Sequence, residues 1–301
     1  MNKYLKFIKE RFPIIGVFLY AGSMFWASYA LPNLFSNRLK SDYTDVILGI
    51  VFYILIFLHL RLFDEHKDYE KDKIAYPDRM LSRGEITLND LKIILFPVII
   101  LEGIIAGSIG IQQFCIWLII LFWTYLMLKE FYVSEYLNKR IGLYLISHQF
   151  LVPLMILFPV SQRLDNFTLI SNDINKIVLF CIGVMCFTVT YEIGRKTWSE
   201  DRENIHADSY TRSWGKIKTV IITLAIAFLG SSLISILMHD CEISFKYIIT
   251  NYILLTILVV VEMIFLRKSN NSNSKLVEIT GAVFMLGSFI NTAIAFTLYL
   301  M

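Results

Sequence analysis

Residues 61 to 84 read RLFDEHKDYEKDKIAYPDRMLSRG, with Asp64, Asp68 and Asp72 recurring every four residues just where a long apolar segment ends. On a helix, side chains four apart share one face and are separated by about 6 Å along the axis. Like charges at that spacing repel by roughly 0.2–0.5 kcal/mol per pair, so a cation is expected among them. An oxygen-only cluster suits a hard ion such as Mg2+, which keeps several waters and bridges one or two carboxylates to substrate phosphates. This points to a diphosphate-handling site. Spacing alone leaves a second reading open, because Lys67, Lys71 and Lys73 interleave with the acids and a mixed-charge run is also what a solvated, salt-bridged helix end looks like.

The rest of the chain decides between them. Hydrophobic residues make up 56% of the 301, charged residues 18%, and the mean hydropathy is +0.60, well beyond a soluble domain. Apolar runs long enough to cross about 30 Å of hydrocarbon occur near residues 13–31, 44–62, 91–110, 113–129, 141–160, 176–194, 217–238, 246–266 and 277–300. The expected fold is therefore all-α, a multi-pass membrane bundle of about nine transmembrane helices. With nine spans the connections alternate between two sides, and the side of the N-terminus collects 23 of the 28 Lys and Arg residues against 5 opposite. The positive-inside rule makes that side cytoplasmic, which puts the acidic stretch in the cytoplasm and the C-terminus outside, in a membrane expected to be a bacterial inner membrane.

The run that follows Lys3, Lys6, Lys9 and Arg11 is too long for a cleavable signal and lacks a small-residue cleavage site, so the first span is expected to be retained. Cys115, Cys181, Cys186 and Cys241 show no metal-ligand pairing and lie mostly in apolar segments, which reads as packing rather than a disulfide framework or zinc site. The net charge of +3 follows from the basic loops and implies no nucleic-acid partner. One domain spanning 1–301 is the simplest organisation, with two hydrophilic segments at 61–92 and 192–218, each after an even-numbered span. The two are placed to meet over one cavity.

The second segment begins YEIGRKTWSEDRENIHADSYTRSWG at Tyr191. Its carboxylates, Glu192, Glu200, Asp201, Glu203 and Asp208, are candidates to hold a metal, while Arg195 and Lys196 are candidates to contact phosphate oxygens. Read alone, the same charges are equally a membrane-edge anchor and a solvated loop.

Taken together, the two segments resemble those of the UbiA superfamily of intramembrane prenyltransferases, nine-helix bundles with Asp-rich motifs after the second and sixth helices. Here the first motif stands as DExxDxxxD, from Asp64 through Glu65 and Asp68 to Asp72. PDRMLSRG, Pro77 to Gly84, is similar to the family's RPLPSG element, with Arg79 and Gly84 on its arginine and glycine and Met80 in place of a proline. The second motif departs from the usual pair of aspartates four apart: Glu192 and Glu200 bracket Arg195 and Lys196. This EIGRK start, with Tyr210 and Trp214, resembles a bacterial branch of the superfamily.

The resemblance implies a transferase that binds an isoprenyl diphosphate through Mg2+ and couples its allylic carbon to a lipophilic or aromatic acceptor. It assigns Asp64, Asp68 and Asp72 to catalysis and metal, with Glu65, Glu192, Glu200 and Asp201 as further metal ligands. Arg79, Arg83, Arg195 and Lys196 are assigned to the diphosphate. A metal would neutralise charge growing on the departing diphosphate, and the allylic cation would need a dry pocket with aromatic faces. The 23 Phe, 16 Tyr and 5 Trp allow this but also serve ordinary membrane packing.

Ionisable residues inside spans are expensive and raise a functional hypothesis. Glu102 and His148 are candidates to line the prenyl or acceptor cavity and to take a proton from the acceptor; each is equally able to bond a neighbouring helix. Gly103 and Gly107 form a GxxxG that reads as close helix packing. Two other classes compete with the transferase. A terpene cyclase on the same scaffold would ionise and cyclise its substrate without an acceptor. A transporter is disfavoured, because the acids cluster at one edge and no half-helix repeat is visible.

Overall fold

A computed structural model describes residues 2–35, 43–164, 171–204 and 206–300. Among these residues nine helices are long and apolar enough to span a membrane: α1 (Ile14–Leu34), α2 (Tyr43–Lys67), α3 (Leu88–Ile109), α4 (Ile111–Leu128), α5 (Ile141–Arg163), α6 (Asp173–Arg195), α7 (Lys216–Asp240), α8 (Phe245–Arg267) and α9 (Asn271–Thr297). Helices satisfy every backbone donor internally, which hydrocarbon demands. The expected all-α membrane bundle is the observed one, with boundaries displaced by a few residues. The connection between the spans expected at 91–110 and 113–129 is the single residue Gly110, and Gln113 donates to Ser161 Oγ at 2.9 Å inside the bundle.

Consecutive spans pack side by side, and α9 closes back on α1 and α6. The α6–α7 pair is tight: a Cβ built on Gly230 would lie 2.8 Å from Cys186 Cβ, and one on Gly183 would lie 2.8 Å from Ile234. Gly103 serves α4 in the same way, since a Cβ there would meet the Trp117 ring at 2.6 Å. Between α2 and α5, the Phe52 and Phe158 rings stack at 4.0 Å and Tyr53 Oη donates to the Met155 carbonyl at 2.6 Å.

Two features shape the motif end. First, α5 breaks at Phe150 into Ile141–Gln149 and Leu151–Arg163, because Pro153 has no N–H for the Gln149 carbonyl and its ring would clash there. The break turns His148, Gln149, Leu151 and Val152 onto the wall of one cavity. Second, the amphipathic helix Lys3–Arg11 lies against the first motif loop. Its Phe7 is fully buried among Leu62, Phe63, Met80, Leu81 and Ile86, and Glu10 accepts the Met80 N–H at 3.1 Å.

The acidic stretch is built from two helices that meet at Asp68. α2 ends at Lys67, Asp68 takes φ −95° and ψ 9°, and a new helix runs Tyr69–Ala75. The three aspartates nevertheless stay aligned, because their own backbones carry the i→i−4 bonds across the kink: Asp68 N to Asp64 O at 2.9 Å, and Asp72 N to Asp68 O at 2.8 Å.

Candidate active site

The two hydrophilic segments meet over one cavity of about 530 Å³. Lys71 pairs with Asp208 across the mouth, and Asn204 donates to the Ala75 carbonyl at 2.8 Å. The mouth is polar, lined by Asp64, Asp68, Asp72 and Arg79 from the first segment and by Glu192, Arg195 and Lys196 from the second. Deeper in, the wall is Tyr20, Met24, Phe57, Leu60, Val152 and Met155. Such a shape fits a ligand with an anionic head and an apolar tail.

Most cavity carboxylates are matched by a cation of the chain. Asp64 lies 3.3 Å from Arg61 and 3.6 Å from Lys67. Asp72 pairs with Arg79 and lies 3.8 Å from Arg11. Glu192 holds Arg195 at 2.7 Å and Lys196 at 3.2 Å. Asp68 has no ion pair among the described residues. Burial pushes its carboxyl up to about 6; Asp64 and Asp72 add to the rise, and Lys67 and Lys71 oppose it. Arg79, stacked 3.6 Å over the Tyr76 ring, is pushed below its ordinary value by burial and by Arg11.

Among the described residues no three His, Cys, Asp or Glu side chains converge closely enough to hold a metal by themselves. The donor set still fits Mg2+, which needs only one or two protein carboxylates when phosphate oxygens complete its shell. Asp68, beside Asp64, supplies the unmatched charge.

Six residues expected at the site lie outside the cavity wall, among them Glu203, whose carboxylate accepts the Ser209 and Thr211 hydroxyls at 2.6 and 3.0 Å. Glu65 is 3% exposed and turned away, bonded to Arg11 and Arg61. Arg83 is exposed and spends its guanidinium on Glu85 and the Asp78 carbonyl, shaping a turn that Gly84 completes at φ +74°. Glu200 is exposed. Asp201 accepts the Asn271 N–H at 2.9 Å, at the start of α9, and the Ser199 hydroxyl holds its carboxyl below the ordinary range. Glu102 is fully buried between α2, α3 and α4, with His59 Nδ1 at 3.3 Å and Trp117 Nε1 donating at 3.2 Å. It ties three spans together.

His148 does line the cavity. Its Nδ1 donates to the Tyr144 carbonyl at 2.9 Å, its ring stacks on Tyr144 at 4.0 Å, and Lys67 Nζ donates to Tyr144 Oη at 2.8 Å. Sequence reasoning missed Arg11, Arg61, Tyr144 and Arg202 as cavity residues. Only Arg61, one turn before Asp64, carried a positional signal. Arg202 arrives through a 2.6 Å pair with Glu278 on α9, a contact that no local pattern encodes.

No protein-family model and no curated protein matches this sequence. The fold does match solved structures over nearly the whole chain. A digeranylgeranylglyceryl phosphate synthase aligns over 98% of this chain and 99% of its own, at 18% identity and a TM-score of 0.66. A UbiA homologue from Aeropyrum pernix K1 aligns over 93% and 98%, at 11% identity and 0.66. A UbiA homologue from Archaeoglobus fulgidus, solved with Cd2+ bound, aligns over 97% and 99%, at 13% identity and 0.53. The chain is thus a multi-pass integral membrane protein with the fold of UbiA homologues.

Proposed function

We propose that the protein is a Mg2+-dependent intramembrane prenyltransferase, working as one unit over residues 1–301, that moves an isoprenyl group from an allylic diphosphate to a lipophilic or aromatic acceptor. The observation that carries this reading is the single cavity in which both motif segments place their charges at the mouth and apolar side chains below. The neighbouring folds are consistent with it, one being a digeranylgeranylglyceryl phosphate synthase by name and another having been solved with Cd2+ bound.

Asp64, Asp68 and Asp72 would hold Mg2+, with Glu192 across the mouth. When bound, the ion neutralises the charge that develops on the leaving diphosphate. The chain's own cations would do the rest of the binding: Arg79, Arg195 and Lys196 line the mouth, and their N–H groups would be donors for phosphate oxygens. Tyr144 and Tyr20 supply aromatic faces to the allylic carbon below. His148 is assigned the proton lost by the acceptor, because its Nδ1–H is committed to the Tyr144 carbonyl and Nε2 is left as the basic nitrogen.

The test is purified protein in detergent with Mg2+ and geranyl, farnesyl or geranylgeranyl diphosphate, with and without a phenolic panel, following diphosphate release and products by mass spectrometry. Acceptor-dependent prenylation supports the transferase. Hydrocarbon or terpene alcohol formed without acceptor would establish a cyclase instead, and no release under any condition would remove both. Arg79→Ala and Lys196→Ala should each raise the KM for the diphosphate by about 10- to 100-fold, the range for losing one charge-assisted hydrogen bond; an unchanged KM removes that residue from the binding set.

Orientation follows from charge. The N-terminus and cavity mouth are assigned to the cytoplasm of a bacterial inner membrane and the C-terminus to the far side. Single cysteines introduced at Lys73 and at Tyr299 of a cysteine-free variant should label from opposite faces in sealed vesicles. Labelling of both from one face would refute the odd-span topology.

A further inference from the structure

Two arginines that belong to no motif line the cavity mouth, and one buried carboxylate holds both. Arg11 comes from the helix Lys3–Arg11 and Arg61 from α2. Glu65 Oε1 accepts Arg11 Nε at 2.7 Å and Arg61 Nη1 at 3.5 Å. The Glu65 side chain is 2% exposed and is not part of the cavity wall, whereas both arginines are. From there each arginine reaches on to a different motif aspartate, Arg61 to Asp64 at 3.3 Å and Arg11 to Asp72 at 3.8 Å.

We infer that Glu65 is a positioning residue: it holds Arg11 and Arg61 at the cavity mouth as a pair of guanidinium donors for the oxygens of a diphosphate. This rests on the diphosphate reading given above. A carboxylate taken out of water is tolerated only when it is paired, so Glu65 stays committed to its two partners. Asp64 and Asp72, half-open to the cavity, are free to exchange partners. A cation that draws on those aspartates would strip the arginines of their outer contacts but not of the Glu65 contact. Guanidinium N–H groups would then face the cavity unspent, and planar donors of this kind match phosphate oxygens. Two like charges at one mouth would otherwise swing apart into water; the intervening carboxylate offsets their repulsion.

The N-terminal helix is correspondingly part of the site. Phe7 in its apolar cluster and Glu10 on the Met80 N–H set the backbone from which Arg11 reaches.

The test separates positioning from metal binding in the full-length protein. Inorganic diphosphate is titrated calorimetrically in the presence of Mg2+, and Mn2+ binding is followed by electron paramagnetic resonance without diphosphate. For Glu65→Gln we expect diphosphate affinity to fall by about 10- to 100-fold with Mn2+ affinity unchanged, and no further fall when the same change is added to an Arg11→Gln/Arg61→Gln background. Should Glu65→Gln not fold, the double arginine variant carries the test, with the same loss of diphosphate and unchanged Mn2+ binding expected. A fall in Mn2+ affinity for Glu65→Gln would make Glu65 a metal ligand and overturn the inference. Undiminished diphosphate affinity in either variant would overturn it while leaving the cavity's assignment intact. Failure of the wild-type protein to bind diphosphate would remove both.

Discussion

Asp68→Asn is expected to lower the kcat for diphosphate release by roughly 10³-fold or more while the protein still folds, because the substitution removes the one first-motif cavity carboxylate that has no ion pair among the described residues and with it the charge that would draw a metal. Asn keeps the shape and one acceptor oxygen, so the loss tests charge and not packing. A matching drop in Mn2+ affinity should accompany it. Asp72→Asn should be milder, since Asp72 already pairs with Arg79 and lies close to Arg11, and part of its role passes to those cations. Wild-type turnover in Asp68→Asn would end the metal-site assignment.

Glu102→Ala should act in the opposite way, on stability and not on chemistry. Its carboxylate sits fully buried between His59 and Trp117, so truncation strands two donors inside the bundle and opens a cavity beside the Trp117 ring. Each stranded group costs about 1–3 kcal/mol, which predicts a thermal unfolding temperature in detergent lowered by several degrees. Turnover per folded molecule should stay near wild type, because Glu102 is not part of the cavity wall. A selective loss of turnover with unchanged unfolding would return Glu102 to the reaction.

The contrast between Glu102 and His148 shows how far a sequence can be read. Both are ionisable groups in apolar spans, equal by pattern. They part because α5 breaks ahead of Pro153 and turns His148 into the cavity, while Glu102 faces two other spans. The first motif divides similarly. Adjacent residues Asp64 and Glu65 look like one acidic pair, yet about 100° of helical rotation between neighbours sends Asp64 to the cavity and Glu65 to Arg11. In the second segment, Glu192 reaches the cavity from the end of α6, and Asp201 is drawn off to the start of α9.

What the sequence by itself determined was class and address. The length and number of apolar runs settle a membrane bundle of about nine helices, because hydrocarbon admits little else, and the hydrophilic segments after even-numbered spans place the charges at one end. Which charges share a cavity was decided only by tertiary structure. Arg11 lies far along the chain from Asp72, and Arg202 far from Glu278, so their meetings depend on helices packing across the bundle. Such contacts between distant segments leave no periodicity or spacing in the chain.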